Sequence, residues 1–170
     1  PVFLESHNPT IVKSRILSQG QQLLRFDLEK SVSTQAGKSI ISKFKEIVQN
    51  HDLVIASDYG KGALSSVSEL IKICNDFNIP ILVDPKGDDF KKYTGSTLIT
   101  PNKKEFETIV GRYSTLEELE RKAFKLVNDL EIQYLLVTRG AEGMSLFNSE
   151  GVSHHFKTQA EDVFDVTGAG

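Results

Sequence analysis

Three observations predict a three-layer α/β/α fold around a mostly parallel sheet. Short apolar runs such as Leu53-Val-Ile-Ala56 and Tyr134-Leu-Leu-Val-Thr138 lack polar alternation, the pattern of strands buried on both faces. Amphipathic helical stretches separate these runs, which places helices on each side of a parallel sheet. Polar, mostly glycine-bearing segments follow the runs, where open α/β sheets bind their ligands.

The elements follow in chain order. Residues 11–28 alternate loosely and turn at Ser18-Gln19-Gly20-Gln21, which predicts a β-hairpin. Ile40, Ile41, Phe44, Ile47 and Val48 share one helical face. After the 53–56 strand, Leu64, Val67, Leu70, Ile71, Cys74 and Phe77 form a second helical stripe, with Ser66 and Glu69 spaced as a capping box. Ile81-Leu-Val83 and Thr97-Leu-Ile-Thr100 are further strands. A short helix begins near Asn102 with Phe106, Ile109 and Val110 inward. Ser114 and Glu117 are spaced to cap a longer helix whose stripe is Leu116, Leu119, Ala123, Leu126, Val127 and Leu130. The 134–138 strand follows, then a hairpin of 144–147 and 152–156 around Asn148-Ser-Glu-Gly151. Met144 and the scattered phenylalanines read as core. His154 and His155 read as surface or half-buried polar residues, since no further metal ligands stand near them in sequence.

Composition narrows the function classes. At 170 residues, with 39% hydrophobic and 25% charged, the chain suffices for one soluble domain with a real core. A net charge of −3 and pI near 5.8 argue against a nucleic-acid or membrane-surface partner. No apolar run approaches the roughly 20 residues of a membrane span. A single Cys74, on the apolar face of a helix, excludes an internal disulfide or a multi-cysteine zinc site, and a reducing cytoplasm fits best. A start at Pro1 and a stop inside a glycine-rich run suggest that both ends are cut.

The strand ends carry the chemistry. After the first strand, Ser57-Asp58-Tyr59-Gly60-Lys61-Gly62 offers Asp58 to sugar hydroxyls and Lys61 to a phosphate, or is simply a glycine-rich turn. Asp84-Pro85-Lys86-Gly87 suits a metal-phosphate site and equally a surface ion pair. Asn102-Lys103-Lys104-Glu105 has the spacing of a capping box, with two lysines inside it. Thr138-Arg139-Gly140-Ala141-Glu142-Gly143 is able to cradle a nucleotide phosphate or to serve as a tight turn. The phosphate reading is favoured because four strand ends carry suitable groups in order. At the chain's end, Asp165-Val-Thr-Gly168-Ala169-Gly170 is a run whose glycines let successive N–H groups converge on an anion.

The ordered set Asn102-x-x-Glu105, Thr138-Arg-Gly-x-x-Gly143 and Asp165-Val-Thr-Gly-Ala-Gly170 resembles the second half of a PfkB/ribokinase-family sugar kinase. Ser57-Asp-Tyr-Gly-Lys-Gly-Ala-Leu64, Val83-Asp-Pro-Lys-Gly87, Leu98-Ile-Thr-Pro-Asn102 and Arg15-x-Leu-x-x-x-Gln21-Gln-Leu-x-Arg25-x-Asp27 are similar to the bacterial D-glycero-β-D-manno-heptose 7-phosphate kinases. The resemblance implies a ribokinase-like Rossmannoid fold, with the first hairpin as part of a β-lid. Residues 1–170 are then the C-terminal part of one kinase domain, truncated at both ends.

The implied activity is ATP-dependent phosphorylation of the anomeric hydroxyl of heptose 7-phosphate, giving the 1,7-bisphosphate for lipopolysaccharide core synthesis. In this reading Asn102, Lys103, Lys104 and Glu105 meet the nucleotide and its Mg²⁺, with Glu105 acting on the metal through water. Thr138, Gly140 and Gly143 line the ATP phosphates. Backbone N–H groups of Gly168, Ala169 and Gly170 form an anion hole, and an aspartate just after Gly170 is the base. Asp58 and Lys61 contact the sugar phosphate. The family also implies an adenylyltransferase domain in a longer parent chain, and leaves a homodimer open. Two alternatives stand: another PfkB kinase acting on ribose, fructose phosphate or a nucleoside, or a nucleotide-binding module without transfer chemistry. A dinucleotide site is disfavoured, since no Gly-x-Gly-x-x-Gly joins a strand to a helix.

Overall fold

Residues 11–19, 21–28 and 34–158 are described by the computed structural model. The chain opens with an antiparallel hairpin of β1 (Val12–Ser18) and β2 (Gln21–Leu28), Val12 facing Leu28 in register. It is the hairpin the sequence predicts. Its apolar side chains, among them Leu17, Leu23, Phe26 and Leu28, are all exposed.

The body follows as α1 (Thr34–Ile47), β3 (Val54–Ser57), α2 (Val67–Asp76), β4 (Ile81–Asp84), β5 (Leu98–Ile99), α3 (Lys103–Val110), α4 (Leu116–Asp129), β6 (Tyr134–Thr138), β7 (Met144–Asn148) and β8 (Ser153–Phe156). β3 to β8 form one sheet in sequential order. The β3–β6 strands run parallel, and β7 and β8 return antiparallel. All four parallel strands therefore end on the same edge, which gathers their following segments in one place.

One face of this sheet carries the packing. The cross-strand row Ala56, Val83, Ile99, Leu135 and Phe147 is buried throughout, against Val67, Leu70, Ile71 and Cys74 of α2 and Leu119, Ala123 and Leu126 of α4 in the same core. Phe147 meets Phe124 edge to face at 5.5 Å. The neighbouring row on the other face differs. Leu82 and Leu98 are half-buried, Tyr134 is 41% exposed and Ile55 is 70% exposed. The expectation of burial on both faces is thus corrected for Leu53 (45% exposed) and Ile55 in the 53–56 run and for Tyr134 in the 134–138 run. The strand order fits this: β3 to β6 are sequential parallel neighbours, and crossovers of one hand between such neighbours, right-handed as a rule, return their helices to the same face.

Several smaller expectations are also corrected. Ser66 does not cap α2: residues 62–66 already turn, holding Ser66 at φ −108°, ψ 31°, outside the extended conformation a cap requires. Glu69 pairs instead with Lys45 of α1 at 3.1 Å. The cap of α4 sits one residue later than predicted. Thr115 is extended and its Oγ1 accepts the Glu118 N–H at 3.2 Å, while the Glu118 carboxylate accepts the Ser114 N–H at 2.8 Å. Leu116, first in that helix, is exposed, as are Phe77 at the end of α2 and the strand-end pair Met144 and Phe156. Cys74 is buried as expected, and burial pushes its thiol up to about 11, which keeps it protonated and inert.

Candidate active site

The carboxyl ends of β3, β4, β5 and β6 open onto one cleft of about 500 Å³. β3 contributes Asp58 and Tyr59, β4 contributes Asp84, Pro85 and Lys86, β5 leads to Thr100, Asn102 and Glu105, and β6 ends on Thr138. A main-chain bond from Thr138 N–H to the Pro101 carbonyl (3.0 Å) ties the last two segments together. The sequence singled out these segments separately, and the fold brings all four to one place.

Asn102 and Glu105 form the capping box. Asn102 Oδ1 accepts the Glu105 N–H at 2.9 Å, and Glu105 Oε2 accepts the Asn102 N–H at 3.1 Å. That reciprocal pair satisfies two donors at the start of α3 and holds the Glu105 carboxylate at the cleft wall. Its other oxygen, Oε1, accepts from Lys86 Nζ at 2.7 Å. The capping reading and the functional reading are therefore compatible. The cap aims the carboxylate.

Asp84 stands close by. Its carboxyl is held above the usual range, first by burial and then by repulsion from Glu105 and Asp58, against the attraction of Lys86. A carboxylate whose charging is opposed by a neighbouring carboxylate is a fit for a divalent cation that arrives with phosphate oxygens. Mg²⁺ takes one or two protein carboxylates and completes its octahedron with water and phosphate. Among the described residues, no three His, Cys, Asp or Glu side chains are grouped to cage a metal.

Asp58 is buried, and its carboxylate is already engaged. Oδ1 accepts the Gly60 N–H at 2.8 Å, while Oδ2 accepts from Tyr93 Oη at 2.6 Å and from Lys92 Nζ at 2.7 Å. Despite the opposing cost of burial, these donors hold Asp58 below the usual carboxylate range. Of about four acceptor positions on a carboxylate, one is left for a hydroxyl. Tyr93 Oη also accepts the Lys86 N–H at 2.9 Å, so one buried phenol joins the segments after β3 and β4. Burial and the neighbouring Asp58 push that phenol up to about 12. Lys92 and Tyr93 were not foreseen. They lie in a single 3₁₀ turn with no motif spacing, and the only hint was that a carboxylate after a buried strand needs a donor.

The remaining residues separate. Lys61 lines a smaller neighbouring cavity of about 220 Å³ that shares Asp58 and Tyr59 with the first. Lys103 turns away from the main cleft, pairing with Glu142 at 2.5 Å and lying over the Tyr113 ring at 5.3 Å. Lys104 is exposed. Gly140 has a φ of +59° with open space where a Cβ would be, whereas a Cβ on Gly143 would meet the Phe156 carbonyl oxygen at 1.9 Å. Gly143 therefore has a packing reason to be glycine. Gly168, Ala169 and Gly170 lie outside the described residues.

A second constellation offers no active site. The His155 ring lies between Ser145 Oγ (2.8 Å) and Glu120 Oε1 (3.1 Å), the residue types of a hydrolytic triad. Ser145 is fully buried, so no substrate reaches it, and the chain of bonds instead ties β7 and β8 to α4.

The sheet with its strand-end cleft is a ribokinase-like α/β fold. It resembles phosphofructokinase-2 from Escherichia coli, solved in complex with substrates and products, with a TM-score of 0.69, 20% identity, and coverage of 94% of this chain and 53% of that one. Ribokinase from Arabidopsis thaliana, complexed with ribose and ATP, gives a TM-score of 0.67 at 19% identity, covering 94% of this chain and 51% of that one. Residues 3–170 match the pfkB family carbohydrate kinase, and the chain belongs to that family. Among curated proteins it is 48% identical over 169 residues to the bifunctional protein HldE of Haemophilus influenzae strain PittEE, covering 99% of this chain and 35% of the relative. The HldE of Histophilus somni strain 129Pt is 47% identical over 167 residues, 98% of this chain and 35% of the relative. The chain thus spans about a third of the length of these relatives.

Proposed function

We propose that this chain is the C-terminal part of a kinase domain that phosphorylates D-glycero-β-D-manno-heptose 7-phosphate at its anomeric hydroxyl, using ATP and Mg²⁺. The observation that carries the reading is the convergence of four strand ends on one cleft, with Glu105 and Asp84 beside Lys86. The similarity to HldE over 99% of the chain supports the heptose assignment and an adenylyltransferase domain elsewhere in a longer parent.

A divalent cation bound here would neutralise charge on the phosphoryl group being transferred. Glu105, fixed by its cap, would hold that cation through water with Asp84 nearby, and Asn102, Thr138 and Gly140 would face the nucleotide. Lys61 would meet the sugar's distal phosphate in the smaller cavity, and Asp58 would accept one sugar hydroxyl with its remaining lone pair. Gly168, Ala169 and Gly170 would donate N–H groups to the transferred phosphoryl, with an aspartate just past Gly170 as base. Catalysis is then positioning and charge stabilisation. We further read the protein as cytoplasmic; among the described residues no helix is long and apolar enough to cross a membrane. The exposed apolar hairpin supports self-association as a homodimer.

The test is phosphate transfer by the full-length protein, with heptose 7-phosphate, fructose 6-phosphate, ribose and adenosine as competing acceptors. The proposal expects heptose 1,7-bisphosphate as the preferred product. Preference for ribose or adenosine would leave the kinase reading and remove the heptose. Nucleotide binding without transfer to any acceptor would favour a regulatory module.

A further inference from the structure

We infer that Lys86 is a displaceable cation: its ammonium and a nucleotide-borne divalent cation compete for Glu105, and the released ammonium turns to the nucleotide's phosphates. The inference rests on the metal-nucleotide reading of the cleft and deepens it. Glu105 has one oxygen committed to the Asn102 N–H and one, Oε1, facing Lys86 at 2.7 Å. A second cation at Oε1 would be repelled by that ammonium, so metal and Lys86 are exclusive there.

The two partners differ in freedom. Glu105 is locked by the capping box and only 14% exposed, whereas the Lys86 side chain is 54% exposed. An ion pair this open is worth little and is cheap to break. The member that moves is the lysine. Its main chain is held, because its N–H donates to the buried Tyr93 Oη. Movement is therefore confined to the flexible stem, which keeps the ammonium within the cleft walls. Asp84 supplies the drive for exchange: with Glu105 it places two carboxylates against one ammonium, a surplus of negative charge that a divalent ion relieves better than a monovalent one. A permanent structural salt bridge would need none of these asymmetries.

The experiment compares full-length wild type, Lys86→Ala and Lys86→Arg. Calorimetric titration measures the affinity for Mn²⁺ alone and, separately, for ATP with saturating Mg²⁺. Lys86→Ala should bind Mn²⁺ alone several-fold more tightly, because the competitor is gone. It should bind Mg·ATP roughly tenfold more weakly, the size of one charge-assisted hydrogen bond to phosphate. Lys86→Arg, which keeps the charge, should stay nearer to wild type on both. Affinities that move together, or a Mg·ATP affinity that does not change, overturn the exchange while leaving the kinase reading intact. A wild type that binds no Mg·ATP overturns both.

Discussion

Two adjacent rows of the same sheet behave as if they belonged to different proteins. Ala56, Val83, Ile99, Leu135 and Phe147 are sealed under helices, whereas one position away on the same strands Leu82 and Leu98 are half-buried and Ile55 and Tyr134 are exposed. Both rows are equally apolar in sequence. What separates them is that α2 and α4 both pack over the first row. The polar strand ends inherit rigidity from the sealed row: Asp58 follows Ala56 by two residues, Asp84 follows Val83, and Thr138 follows Val137. The cleft is built on the packed side's anchoring, which holds its main chain in place.

Substitution along the two rows gives the largest expected contrast. Leu135→Ala should cost about 2–5 kcal/mol of unfolding free energy, the range for a fully buried leucine, while Ile55→Ala should fall within about 0.5 kcal/mol. Urea unfolding of this chain measures both. Equal losses would show that the second face is packed as tightly as the first and would remove the comparison.

A smaller effect sharpens the link between the packed face and the cleft. Tyr93→Phe deletes the donor to Asp58 and should cost about 1.5–3 kcal/mol at neutral pH, as expected for a buried hydrogen bond to a charged group. The pH dependence has a definite sign. Asp58 is held below its unfolded value, so its contribution is fully present above about pH 4 and is lost as pH falls through the lower folded value. The gap between wild type and Tyr93→Phe should therefore be widest near neutrality and close in acid. A gap that stays constant down to pH 2 would mean that the phenol acts by packing alone.

Much of this architecture was legible from residues in order. The unbroken apolar runs at 81–83 and 134–138 marked β4 and β6, and the Asn102-x-x-Glu105 spacing marked both a helix start and two residues that line the cleft. Less legible were features set by tertiary geometry. Ser66 and Thr115 look alike as caps, but only Thr115 reaches the extended backbone a cap needs, because the turn before Ser66 forbids it there. Lys103 sits inside the motif yet pairs with Glu142 outside the cleft, whereas Lys86, from another strand end, lines it. Tyr93 joins partners 35 and 7 residues away, a relation no local pattern encodes.

In the proposed function, the cleft at these strand ends binds a metal-nucleotide through Glu105. ATP affinity of the full-length protein, measured over a range of Mg²⁺ concentrations for wild type and Glu105→Gln, tests it most directly. Gln keeps much of the capping hydrogen bonding and removes the charge. Turnover should fall by about tenfold or more and the Mg²⁺ requirement should shift to higher concentration, at a nearly unchanged melting temperature. Unchanged Mg²⁺ dependence with a lowered melting temperature would contradict it, leaving Glu105 as a helix cap and nothing more.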